Sequence, residues 1–329
     1  MNQSSGITQA PTLILKNAMP MKTFAIIFPA YNEEQTIAQT MRDFHQALPE
    51  ASLWVIDNSS RDETGNIARQ TLLELGAKGA VIEEKRVGKG NAVRRAFHDI
   101  EADIYILTDA DLTYPPEQLH QLIEPILKGH ADMVVGDRLS GGNYRAENKR
   151  RFHDLGNRFV RDLVNWFFDA SLVDIMSGYR VFTRQFIKNY PILVSGFEIE
   201  TDMTLHALDK RFRVVEVPVK YQDRPAGSFS KLSTFRDGFR VLGTIGLILR
   251  YYRPLFFFGW AGIFVACVGL ITSIPPIADY VREGYVYHVP LAILACGLEI
   301  VAIILLAIGL ILDTICHQEK QRFERGLLQ

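Results

Sequence analysis

Thr108-Asp109-Ala110-Asp111 follows directly on the apolar run Ile104 to Leu107, so two carboxylates one residue apart stand just past the end of a buried strand. Carboxylates so arranged can converge on a divalent cation. Hard cations such as Mg²⁺ or Mn²⁺ take oxygen ligands and often share them with a substrate diphosphate. An Asp-x-Asp alone also occurs in solvated turns, so its meaning depends on its surroundings.

Three further polar clusters follow apolar runs. They are Pro29-Ala30-Tyr31-Asn32-Glu33-Glu34, Asp57-Asn58-Ser59-Ser60-Arg61-Asp62-Glu63-Thr64 and Val87-Gly88-Lys89-Gly90-Asn91-Ala92. The glycines of the third permit close backbone approach, and Lys89 stands near a helix start, where anions are favoured. Taken singly, each reads as a turn or a cap; residues 57–64 resemble a helix N-terminus.

The elements that must position these clusters alternate. Strands are expected at Phe24-Ala25-Ile26-Ile27-Phe28 (ended by Pro29), Leu53-Trp54-Val55-Ile56, Ala80-Val81-Ile82, Ile104–Leu107 and Met133-Val134-Val135. Helical spacing covers residues 36–48, 63–75, 92–100 and 116–127. Short apolar strands alternating with amphipathic helices imply an α/β domain with a mostly parallel sheet covered on both faces. Ligands of such sheets bind beyond the carboxyl ends of the strands, where the polar clusters fall. No internal repeat or low-complexity tract interrupts the pattern.

With 329 residues, 48% apolar and 22% charged, the chain is large enough for more than one unit. A net charge of −1 gives no nucleic-acid footprint. The average conceals a shift: residues up to about 231 read as a soluble protein and those beyond 254 as hydrophobic. Residues 1–22 are polar and aperiodic, a flexible leader in which Met21 offers an alternative start, and they lack the pattern of a secretory signal. Residues 255–275 carry no charge and residues 289–312 only Glu299, so each is long enough to span a hydrocarbon core of about 30 Å. Residues 276–288 read as a short polar connection. Arg250 and Arg253 precede the first span and Lys320, Arg322 and Arg325 follow the second, which puts both ends of the hairpin and the large domain in the cytoplasm. Cys267, Cys296 and Cys316 lie in or beside the spans and form no extracellular disulfide framework.

Two other segments suit a membrane surface. Residues 148–168 are basic and partly aromatic, which is either a solvated helix face or a lipid-facing one. Residues 234–252 place Phe235, Phe239 and Leu242 at helical spacing with Arg236 and Arg240 between them, the pattern of an interfacial helix. A carboxylate in mid-span is costly, so Glu299 is expected to meet a partner in a homo-oligomer or to sit protonated.

Further on come Val135-Gly136-Asp137-Arg138, Asp174-Ile175-Met176-Ser177-Gly178-Tyr179-Arg180, Glu216-Val217-Pro218 and Arg224-Pro225-Ala226-Gly227-Ser228-Phe229-Ser230-Lys231-Leu232. Together and in this order, residues 24–235 resemble the family 2 glycosyltransferases of the GT-A fold. Within them the chain is most similar to the polyprenyl-phosphate glycosyltransferases, such as dolichol-phosphate mannose and glucose synthases, and its two spans to the bacterial two-helix subgroup. The resemblance implies a GT-A domain over residues 23–232, an interfacial region over 233–253, and two spans with a short cytoplasmic tail over 254–329. It implies that Pro29, Tyr31, Glu33, Val55 and Asp57 hold the nucleoside, with Asp57 at the base, and that Asn58, Lys89 and Gly90 belong to the donor site. Asp109, Ala110 and Asp111 would bind the metal, Mg²⁺ or Mn²⁺, and the donor diphosphate. Arg138 and Lys231 would face phosphates at the reaction centre, with Lys149, Arg150 and Arg224 also on the acceptor phosphate.

The implied reaction moves a sugar from a donor of the UDP-glucose or GDP-mannose class to undecaprenyl or dolichyl phosphate, with glucose favoured by analogy to two-span relatives. Two departures stand out: Asn58-Ser59 replaces a second Asp followed by Gly, leaving uracil against guanine open, and Asp137 replaces a small residue before Arg138. Enzymes that extend polysaccharides usually carry Gln-x-x-Arg-Trp and more spans, and this chain has neither. A non-catalytic nucleotide-sugar binder would be expected to have lost the Asp-x-Asp or Lys231, and both are intact.

Overall fold

The structure, a computed structural model, describes residues 22–140, 151–196, 198–222, 246 and 248–327. Lys149, Arg150, Arg224, Lys231 and most of the interfacial region 233–253 lie outside the described residues.

Continuous apolar runs build the centre of the sheet, because strands covered on both faces have no side to turn to water. Strand β1 (Phe24–Ala30) is flanked by β2 (Ser52–Asp57) and β4 (Ile104–Leu107), both parallel to it, and β3 (Gly79–Glu83) adds to β2 in parallel. Strands β5 (Met133–Asp137), β6 (Arg180–Thr183) and β7 (Val214–Pro218) complete seven strands in the order β3-β2-β1-β4-β6-β5-β7. Only β6 is antiparallel, against both β4 and β5. Its start therefore lies at the edge where the parallel strands end. Residues 174–179 join the other strand-end loops there.

On one face, helices α1 (Ile37–Ala47), α2 (Thr64–Leu75) and α4 (Leu119–Leu127) bury Met41, Phe44, Ala68 and Leu122 against Ile26 and Phe28. On the other, α3 (Lys89–Asp99), α6 (Arg184–Asn189) and α7 (Ile199–Asp209) bury Val93, Phe97, Phe186 and Met203 against Ala25 and Ile27. Helix α5 (Arg151–Phe168) packs Val160 and Val164 against Leu205 and Ile248 in a smaller cluster.

Two helices, α8 (Pro254–Glu283) and α9 (Val289–Leu327), are long and apolar enough to cross a membrane and pack on each other as a hairpin. Helix α8 does not stop at the expected polar connection. It runs through Pro275 and Pro276 to Glu283, and proline is tolerated inside helices of this membrane-spanning kind. The remaining connection is fastened by the Asp279 carboxylate, which accepts from the amides of Tyr287 and His288 at 3.0 and 3.1 Å. One oxygen of Glu299 is buried against Gly269 inside the hairpin, with no hydrogen-bond partner among the described residues. Beyond its apolar part, α9 continues to the α/β domain. There Phe323 packs 5.7 Å from Phe212, and Lys320 lies 2.6 Å from Asp209.

Candidate functional site

Strand β4 is buried along its whole length, so the chain leaving it emerges at a fixed point. Ala110 turns into the core, 2% exposed, and its carbonyl accepts from Thr40 Oγ1 at 3.3 Å. Asp111 is 2% exposed, and its Oδ1 accepts from the Thr113 hydroxyl at 2.5 Å and the Thr113 amide at 3.3 Å. Leu112 between them takes a left-handed φ of 62°, which keeps this turn tight. Asp109 is more open, its side chain 26% exposed.

Lys89 begins α3 and reaches across to this loop. Its Nζ is 2.5 Å from Asp109 Oδ1 and 2.5 Å from Glu200 Oε1. Burial by itself would lower the pKa of this ammonium, but Asp109 and Glu200 outweigh it and raise it. A side chain at Gly178 would put its Cβ 2.9 Å from Asp109 Oδ2 and 3.0 Å from Lys89 Nζ, so any larger residue would push on the ends of both side chains. Gly90 serves a different approach. Its amide donates to Ser195 O at 3.1 Å, and a Cβ there would fall 2.3 Å from Val194 O. The close backbone contact expected of this glycine is thus made with the chain itself.

The loops after β1 and β2 are laced together. Glu33 N donates to Thr64 Oγ1 at 2.8 Å, Asn32 N to Ser60 Oγ at 3.0 Å, and Arg61 N to Asn32 Oδ1 at 2.8 Å. Tyr31 and Pro29 are half-buried beside them. Asp57 ends β2 and accepts from Ser60 N at 3.0 Å. Val55 lies within the core, 1% exposed. Asn58 is buried and works as a clip: its Nδ2 donates to Glu84 O at 3.2 Å and Arg86 O at 2.7 Å, while its Oδ1 accepts from Gly88 N at 2.7 Å. An aspartate could not donate in this way, which gives the Asn58 departure a structural reason. The clip fixes the loop that carries Lys89.

Arg138 leaves β5 on the other side of the carboxylate loop. Its guanidinium grips Asp174 with two bonds, Nε to Oδ2 at 2.7 Å and a terminal nitrogen to Oδ1 at 2.9 Å. Burial would raise the Asp174 pKa, but Arg138 holds it below the ordinary carboxylate value. Glu216 on β7 accepts from the amides of Val173 and Asp174, each at 2.7 Å, and Tyr221 lies 5.7 Å beneath the guanidinium. Asp137 is buried with its carboxylate on the amides of Leu139 and Ser140, so the second departure forms the turn out of β5. Arg180, fully buried, ties residues 175–177 to Thr204 by bonds of 2.8–2.9 Å.

The edge of the sheet thus assembles Asp57, Lys89, Asp109, Asp111 and Arg138 from four different strand ends. Residues 25–190, half of the chain, match the family model described as glycosyl transferase family 2. The chain belongs to glycosyl transferase family 2. It is 29% identical to glycosyltransferase AglJ of Haloferax volcanii over 301 residues, 91% of this chain and 96% of that protein. It is also 29% identical over 214 residues to a dolichyl-phosphate hexose transferase of the same organism, 65% of this chain and 88% of that protein. Among solved structures, glucosyl-3-phosphoglycerate synthase from Mycobacterium tuberculosis, crystallised with Mn²⁺, UDP-glucose and phosphoglyceric acid, shares the fold at a TM-score of 0.53. Its identity is 22%, over 70% of this chain and 79% of that one.

Within this family 2 domain, the donor set suits a hard cation. Asp109 and Asp111 offer carboxylate oxygens, and no cluster of three or more His, Cys, Asp or Glu completes a cage among the described residues. Such a site fits Mg²⁺ or Mn²⁺, which keep water and take phosphate oxygens for the rest of their shell. Sequence reasoning gave no role to Glu200, Asp174 or Glu216. Asp174 stands in a quoted motif, whereas Glu200 looks like ordinary acidic charge in the first turn of a helix.

Proposed function

We propose that the protein is a membrane-bound transferase that moves a hexose, glucose in the first instance, from a nucleotide sugar to a polyprenyl phosphate at the cytoplasmic face, with inversion at the anomeric carbon. One observation carries this reading. The chain that bears the family 2 carboxylate loop continues into two helices apolar enough to cross a bilayer. A soluble acceptor would not require them, whereas an acceptor with its tail in the bilayer does. The likeness to a dolichyl-phosphate hexose transferase supports the same acceptor class.

The chemistry asks little of the protein as a base. A phosphate monoester has a second pKa of about 6, so the acceptor oxygen is largely ionised at neutral pH and attacks without a general base. Attack opposite the leaving group inverts the centre. The barrier is then departure of the nucleoside diphosphate. A Mg²⁺ or Mn²⁺ on Asp109 and Asp111 supplies positive charge to that leaving group when bound. Arg138, oriented by Asp174, and Lys231 stabilise phosphate charge as it develops. Asp57 and the laced loops around Tyr31 and Glu33 hold the nucleoside, and Lys149, Arg150 and Arg224 draw in the lipid phosphate.

The decisive experiment offers purified protein polyprenyl phosphate and a panel of nucleotide sugars, with products resolved by mass. A hexosyl phospholipid is expected; sugar transfer only to soluble or polysaccharide acceptors overturns the reading. Orientation has its own test. A cysteine placed by Gly284→Cys should react with a membrane-impermeant reagent in intact cells, and one placed by Gln329→Cys should not. The opposite labelling pattern reverses the side of the reaction.

A further inference from the structure

Lys89 has two carboxylate partners, and the second has no part in the reaction described above. The Lys89 side chain is 10% exposed and that of Glu200 7%, while Asp109 is more open at 26%. A divalent cation on Asp109 must compete with the ammonium for the same carboxylate, and two positive charges so close repel each other. Displacing the ammonium with nowhere to go would strand a buried charge, which is strongly unfavourable. Lysine, unlike arginine, is a compact point charge on a flexible stem, so it changes partner without losing a bidentate geometry.

We propose that Glu200 is a positioning residue that takes Lys89 from Asp109 when a divalent cation binds, freeing the Asp-x-Asp while keeping the ammonium paired. This deepens the metal assignment made above and rests on it. The geometry suits the exchange. Both carboxylates already lie 2.5 Å from Nζ, so only a small swing of the lysine head is needed. Glu200 stands in the first turn of α7, which is fixed in the core by Ile199 and Met203 and clasped at its other end by Lys320 on Asp209. The bare Gly178 leaves the space beside Nζ and Asp109.

Without Glu200, Asp109 is the carboxylate left paired with Lys89 among the described residues, and the ammonium holds it against the cation. Mn²⁺ binding to the full-length protein in detergent, read from the electron paramagnetic resonance of free Mn²⁺ in the presence of UDP and again of GDP, tests this. Glu200→Gln should bind Mn²⁺ about tenfold more weakly, a coupling usual for groups in one ionic network, and Glu200→Asp should recover part of the loss. In a Lys89→Met background, Glu200→Gln should leave Mn²⁺ affinity unchanged, because no ammonium remains to be moved. Equal weakening in both backgrounds marks a merely structural role and overturns the proposal, as does wild-type affinity in Glu200→Gln. Asp111→Asn is measured alongside. If it binds Mn²⁺ like the wild type, or if the wild type binds none, the metal assignment itself fails and the exchange falls with it.

Discussion

Among the described residues, two cationic side chains at the carboxyl edge of the sheet, Arg138 and Lys89, are held in opposite ways. Arg138 is locked: two nitrogens of its fork meet both oxygens of Asp174, its own amide meets the same carboxylate at 3.1 Å, and Glu216 fixes the backbone that carries Asp174. Lys89 is shared between Asp109 and Glu200, which come from different elements and differ in exposure. A guanidinium fork against a carboxylate specifies direction as well as charge, whereas an ammonium specifies charge alone. The first arrangement suits a group that must present charge at one fixed place. The second suits a group that must yield when another cation arrives.

The sharpest way to break this contrast is through stability. Asp174 is 3% exposed, so Asp174→Ala removes the buried carboxylate that takes both arms of the Arg138 guanidinium and should cost about 3–5 kcal/mol. Glu200→Gln leaves Lys89 with Asp109 and should cost much less. Chemical denaturation of both variants measures the difference, and equal losses would erase the distinction between locked and shared. The Asp174 pair also has a pH signature. Its folded pKa is depressed, so its contribution is fully present above the unfolded carboxylate value of about 3.9 and is lost as pH falls through the folded value.

Next in size is an effect on turnover. Asp111→Asn keeps a carbonyl oxygen to accept from the Thr113 hydroxyl, so the loop should survive. The lost negative charge should lower kcat by about 10²- to 10³-fold, the size of effect seen when one preorganised electrostatic contact is removed from a transition state. Turnover measured beside an unchanged unfolding midpoint checks both halves. Full activity in this variant, or in excess chelator, would remove the metal from the mechanism.

The parts of this contrast that could be read from the sequence are the local ones. The strand Ile104–Leu107 and the carboxylates after it were legible, because a continuous apolar run followed by a polar cluster is a local pattern. Helix α1 was expected over residues 36–48 and spans Ile37–Ala47, for the same reason. Strand β6 was not expected. It has four residues and opens with a fully buried arginine whose partners, Ser177, Thr204 and Ile175, are assembled only by the tertiary fold. Glu200 was hidden because its meaning lies in Lys89, more than a hundred positions earlier in the chain. Asn58 read as a departure from the family pattern, and only the three backbone groups around its amide show what it does. The hairpin was legible in composition, but the docking of Phe323 on Phe212 was not, since nothing local to either ring announces it.

The smallest expected effect separates the two clusters by pH. Helix α7 carries Glu200 at its start and His206 near its end, where His206 lies among Tyr190, Phe212 and Phe323 with ring separations of 5.0–6.2 Å. Its Nε2 is buried with no hydrogen-bond partner among the described residues. Burial first, and then the charge of Lys210, lower its pKa from 6.5 to about 4. The unfolded chain therefore binds this proton more readily than the folded one. Stability from the neutral imidazole is fully present above pH 6.5 and is lost as pH falls towards about 4. At about 1.36 kcal/mol per unit, the loss has an upper bound of about 3 kcal/mol. Over that window α7, and Glu200 with it, should loosen while the Arg138–Asp174 pair, whose carboxylate titrates lower, stays closed. Hydrogen exchange at pH 7 and pH 5 should show faster opening of α7 than of β5 and β7 at the lower pH, and His206→Leu should abolish the difference. If α7 loosens equally in that variant, the acid sensitivity belongs to another group, and the two clusters are not separable by pH.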